Sequence, residues 1–113
     1  MEFLYRGVHA GHPERASALN GVVVPGDING TVSPMEHNIK DQSGRSPYTS
    51  WTLNIDVARG FANSAGPGGV LLRLSTGAPG TRDTWSWEYS PDGWGEDEIL
   101  LRGVRIGAEV MEP

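Results

Sequence analysis

The chain has no cysteine, one lysine and no long hydrophobic run. Without cysteine there is no disulfide, no thiolate metal site and no cysteine nucleophile, and nothing to mark the redox compartment. The single lysine joins eight scattered arginines against fourteen acidic residues, for a net charge of -5. General affinity for nucleic acid draws on clustered basic residues, so this balance argues against it, although a specific nucleic-acid target stays open. No apolar segment approaches the ~20 residues of a membrane span. The N-terminus has no basic stretch leading into a hydrophobic one, so no signal peptide is visible, and a soluble domain with no membrane contact is expected.

What is abundant is glycine and proline, sixteen and eight in 113 residues. That composition suits one domain (residues 1–113) of short strands and loops rather than long helices. Phe3-Leu4-Tyr5-Arg6-Gly7-Val8 predicts a first strand. Residues 12–21 predict a short helix with Pro13 in its first turn and Asn20-Gly21 at its end. Val22-Val23-Val24 predicts a short strand stopped by Pro25-Gly26. Residues 27–46 predict a long polar loop, with a possible helical turn over residues 34–39. Tyr48-Thr49-Ser50-Trp51-Thr52 predicts a strand, and Asn54 caps a second helix running to about Asn63. After the turn Gly66-Pro67-Gly68-Gly69, Val70-Leu71-Leu72-Arg73-Leu74 predicts a hydrophobic strand. Residues 76–95 predict a second long loop carrying Trp85, Trp87, Tyr89 and Trp94. Residues 99–101, 104–106 and 108–111 predict the closing strands. Strand-like sequence at both ends suggests a piece cut from a longer protein.

The chemistry concentrates in Glu96-Asp97-Glu98, where an apolar run begins. Side chains alternate along a strand, so Glu96 and Glu98 share a face and Asp97 takes the other. Neighbouring carboxylates repel and raise each other's pKa, which suits either a solvated strand end or a site. Arg6 alone fits an ion-paired arginine at the core edge, and Ser50 alone fits a solvent-facing residue. Phe61 sits at helical spacing from Val57 and Ala58 and suits plain core. His9 and His12 lack a third ligand at sensible spacing, so no metal is expected. His37 and Asn38 suit either a turn or the rim of a pocket. The glycine-rich stretches match neither a phosphate loop with its lysine nor a Rossmann fingerprint.

Taken in order, Leu4-Tyr5-Arg6-Gly7, Ser50-Trp51-Thr52 and Glu96-Asp97-Glu98 resemble the arginine, serine, glutamate pattern of mono-ADP-ribosyltransferase toxins. The resemblance covers nearly the whole chain and is closest to C-terminal toxin domains of bacterial polymorphic (Rhs-type) toxins. The family's Ser-Thr-Ser is Ser-Trp-Thr here. Trp51 should face away from Ser50 and Thr52, so this departure touches core packing more than chemistry. The implied fold is α+β, an ADP-ribosyltransferase-like split β-sandwich of two antiparallel sheets with two or three short helices.

The resemblance also implies roles. NAD is the expected co-substrate, with no metal. Arg6 would anchor its pyrophosphate through a planar fork of donors, and Gly7 would let the ligand approach the backbone. Ser50 would orient Glu98, Thr52 would support the strand, and Phe61 would lie near the nicotinamide. Glu98 would stabilise the oxocarbenium-like charge formed as the glycosidic bond breaks. Glu96 would position the acceptor, and Trp94 in the aromatic loop would help recognise it. The expected activity is transfer of ADP-ribose from NAD to a macromolecule, a protein (on arginine) or an RNA, with release of nicotinamide. The expected setting is a monomeric secreted effector of interbacterial competition, acting in the target-cell cytoplasm and neutralised by an immunity protein. Two alternatives stay open: an NAD glycohydrolase using the same residues, and a non-enzymatic β-rich module binding through its tryptophan loop.

Overall fold

The computed structural model describes residues 3–27, 29–30, 48–75, 87–89 and 98–113. They form an α+β fold: β1 (Phe3–Val8), α1 (Arg15–Ala18), β2 (Tyr48–Thr52), α2 (Ile55–Ala62), β3 (Val70–Ser75), β4 (Trp87–Tyr89), β5 (Glu98–Arg102) and β6 (Glu109–Met111). Among the described residues the strands make one sheet in the order β4-β5-β2-β1-β3-β6, every pairing antiparallel. Two separate sheets were the sequence expectation. The observed sheet is continuous but almost divided, because β1 and β2 share a single register pair, Tyr5↔Thr52. By contrast, β1 runs six residues against β3, and β2 runs five against β5.

Strands β3 and β5 bury residues on both faces, which is why they read as unbroken apolar runs instead of alternating ones. Leu4, Val8, Trp51, Val70, Leu72, Leu74, Ile99 and Leu101 form one core with Ala18, Val23 and Ala108. Leu71 and Leu100, out of phase with these, are also fully buried. Trp51 lies in the core as its place in the strand predicts, its indole Nε1–H donating to Thr49 Oγ1 at 2.9 Å. That bond satisfies the one polar atom the large ring carries inside.

Helix α2 covers the other face. Gly7 is the reason it can sit so close: a Cβ there would lie 1.9 Å from Ala58 O and 2.7 Å from Ala62 N. The helix starts where Asn54 caps it, Asn54 Oδ1 accepting from Asp56 N–H at 3.0 Å, while Asn54 N–H donates to Thr52 Oγ1. Loss of a side-chain cap costs about 1 kcal/mol. Asn54→Ala should therefore lower the thermal midpoint by about 4 °C, and Asn54→Asp, which keeps the acceptor, should not; equal losses in a melting experiment would remove the cap from the account.

Four expected elements differ. The first helix shrinks to Arg15–Ala18, because turn bonds such as Arg15 N–H to His12 O occupy its expected start. Residues 22–24 and 104–106 meet only through the bridge Val23↔Arg105. Gly21, Gly103 and Gly107 have φ of 70, 79 and 76° and turn the chain on either side, leaving no length for a ladder. Residues 76–95 are not all loop, since β4 lies among them and pairs with β5. The possible turn over residues 34–39 lies outside the described residues.

Candidate active site

Two cavities lie beside the place where β1 and β2 part. The first, about 250 Å³, lies under α2 and is lined by Tyr5, Arg6, Gly7, Ser50, Thr52 and Phe61 among others. The second, about 340 Å³, lies toward α1, against Pro13, Glu14, Val24, Pro25 and Tyr48. Arg6, His12 and Ser50 line both.

Arg6 occupies the core-facing phase of β1, between Leu4 and Val8, at the point where β1 leaves β2. A guanidinium can stand there because the missing ladder leaves carbonyls to receive it. Its Nη1 donates to Ser50 O at 2.9 Å, spanning the gap. Ser50 thus meets Arg6 through its backbone, a contact that depends on strand position and not on the hydroxyl.

Glu98 is the first residue of β5, and its register partner is Thr52. The strands carrying Arg6, Ser50 and Glu98 are therefore neighbours, in the order β1, β2, β5. Two strand spacings separate the outer pair, about 10 Å of backbone. Glu96, Trp94, Trp85, His37 and Asn38 lie outside the described residues.

Thr52 is buried and its hydroxyl accepts from Asn54 N–H at 3.0 Å, so it ties the end of β2 to the start of α2. Phe61 is not core: it is 48 % exposed and borders the first cavity. Ala58 and Ala62 take the buried stripe instead. Gly7 also borders this cavity, but the space beside its Cα is taken by the backbone of α2. The helix makes a close approach to that glycine, which the sequence did not announce.

His12 is the residue that sequence reasoning did not place. Burial, then the Arg6 guanidinium and the His9 ring, hold its imidazole below the ordinary histidine value, against an upward pull from Glu14. The His9 and His12 rings meet edge to face, 5.4 Å between centroids. The available signal was position: two histidines within six residues of Arg6, where the first strand ends. Among the described residues no three histidine, aspartate or glutamate side chains gather as a metal site, and no helix is long and apolar enough to cross a membrane.

The first cavity sets Arg6, His9 and His12 beside the apolar side chains of Val57, Ala58 and Phe61, and the second sets Arg6, His12 and Glu14 beside Val24 and Pro25. Compared with protein-family models, curated proteins and solved structures, the chain matches none.

Proposed function

We propose that this chain is a toxin-type mono-ADP-ribosyltransferase that moves ADP-ribose from NAD to a macromolecule and releases nicotinamide. The observation that supports the reading is that Arg6, Ser50 and Glu98 fall on three neighbouring strands, with Arg6 and Ser50 lining the cavities where β1 and β2 part. The nearly divided sheet further supports a split sandwich, with β4-β5-β2 and β1-β3-β6 as its two leaves.

In this reading Arg6 holds the pyrophosphate, while Phe61, Thr52 and Tyr5 border the nicotinamide end. Heterolysis breaks the bond between ribose C1′ and the pyridinium nitrogen, and the electron pair leaves with neutral nicotinamide. Positive charge grows on the ribose, where the Glu98 carboxylate stabilises it. The acceptor then bonds to C1′ and gives up a proton to water, with Glu96 positioning it. A secreted effector with an immunity partner is the biological setting that this activity suits.

Incubating the chain with NAD labelled in its adenine half should release nicotinamide. In a bacterial lysate the label should become attached to a macromolecule, and protease or nuclease sensitivity of the product identifies its class. Absence of nicotinamide release from NAD and lysate together would falsify the assignment. Release with no labelled macromolecule makes water the acceptor and the chain an NAD glycohydrolase.

A further inference from the structure

The turn between β1 and α1 gives two histidines a task that asparagine and aspartate usually perform. His9 Nδ1 accepts from Gly11 N–H at 3.1 Å, and His12 Nδ1 accepts from Glu14 N–H at 2.9 Å. In each case the side chain caps the backbone two residues on, as Asn and Asp side chains do in turns. The chain uses that ordinary form elsewhere: Asn54 Oδ1 accepts from Asp56 N–H, and Asp27 Oδ1 from Asn29 N–H, both at 3.0 Å. An amide oxygen holds such a cap without titrating. An imidazole does not, because a neutral ring has one bare nitrogen and a second proton must go there. In His12 that nitrogen is the acceptor. Protonation therefore replaces the bond from Glu14 with two N–H groups pointing at each other, and the turn cannot keep its shape.

We propose that residues 9–14 form an acid-released latch, closed while His12 is neutral and opened when a proton on its Nδ1 expels the Glu14 N–H, so that acid withdraws His12 from the walls of both cavities. The turn is strung between two anchored ends. On one side β1 is paired with β3, and on the other Arg15 Nε donates to Gly68 O at 2.7 Å, so the rearrangement falls on the residues between. The His9 and His12 rings touch edge to face, so displacing one disturbs the other. Among the described residues, the charged and titratable groups facing His12 are Arg6 on β1, Tyr48 on β2, and His9 and Glu14 on its own segment; α2 brings the uncharged Val57, Ala58 and Phe61. Burial, Arg6 and His9 together disfavour the charged ring in the closed turn. An opened turn takes up its proton near the ordinary histidine value of about 6.5, ahead of the closed one. The closed form is therefore fully favoured above that pH and loses ground as pH falls below it. The latch belongs to the unliganded chain and is independent of the transferase reading.

The test is an NMR titration of the whole unliganded chain, following the His12 ring and the Glu14 amide. At neutral pH the ring nitrogens should show Nδ1 bare and Nε2 protonated. As His12 titrates, the Glu14 amide should shift with the same midpoint. Opening of the turn, read from Glu14 amide exchange corrected for its intrinsic pH dependence, should increase about tenfold between about pH 7.5 and about pH 5.5, the effect of one proton with an ordinary midpoint in the open form. The Asp56 amide, capped by Asn54, should stay fixed and serves as the control within the chain. His12→Asn keeps an acceptor two residues before Glu14 and removes the titration, so its Glu14 amide should stay fixed as well. A Glu14 amide that ignores the His12 midpoint overturns the latch, and so does an Nδ1-protonated ring at neutral pH. A His12→Asn chain whose Glu14 amide still follows pH as the parent's does assigns the step to another group and overturns it too. Should that variant fail to fold, the parent titration decides alone.

Discussion

Glu98→Gln is expected to slow nicotinamide release by about a hundredfold to a thousandfold, the usual loss when a preorganised group facing transition-state charge is removed. Glutamine matches glutamate in shape and can still hydrogen-bond a ribose hydroxyl. What it cannot do is oppose the positive charge that grows on the sugar. The loss should therefore appear in kcat more than in KM, because ground-state binding of NAD is spared. Stability should stay within about 0.5 kcal/mol. The backbone of Glu98 pairs with Thr52 at the head of β5, and that ladder needs no particular side chain. Full release from a folded Glu98→Gln chain removes the carboxylate, and with it the assignment. Glu96→Gln should behave differently, losing transfer to the acceptor more than NAD cleavage. Equal loss of both would take Glu96 out of the acceptor role.

The strands that carry the candidate site were the most legible part of the sequence. Phe3–Val8 and Tyr48–Thr52 are dense in aromatic and β-branched residues and form strands with those bounds. Asn54 signalled the start of α2 because an uncharged acceptor before an apolar helix stripe has few other uses. Other features depend on partners distant in sequence. β4 is three residues long and exists by pairing with β5, so no local period announces it. Phe61 kept helical spacing with Val57 and Ala58, but the narrow alanine stripe of α2 took the buried side and left the ring at the first cavity. His12 gains its place from the parting of β1 and β2, a feature of register that no single segment encodes. The division of the sheet was expected by resemblance as two separate sheets and appears as one weak seam, with Arg6 bonded across it.

Gly7→Ala should be strongly destabilising, because Gly7 lies directly beneath α2. A methyl group there would sit 1.9 Å from Ala58 O and 2.9 Å from Ala58 C, both of them backbone. No rotamer change relieves such a clash, so the helix must lift from β1 as a unit. Overpacking a well-filled interior costs about 1 to 3 kcal/mol, and a collision with backbone belongs at the top of that range. Against it stands a gain of about 0.5 to 1 kcal/mol from restricting the unfolded chain, too small to compensate. A net loss of about 2 kcal/mol corresponds to a fall of about 8 to 15 °C in thermal midpoint for a domain of this size. Gly60 is the internal control: it lies in the same helix with nothing within 4 Å of its would-be Cβ. Gly60→Ala should raise the midpoint, by about 1 kcal/mol of improved helix propensity. The same displacement reaches the first cavity, because α2 supplies Val57, Ala58 and Phe61 to it. Gly7→Ala should thus weaken NAD binding even below its melting range, whereas Gly60→Ala should not. A Gly7→Ala chain as stable as its parent would show that α2 can withdraw from β1 at no cost, and the glycine would lose its structural explanation.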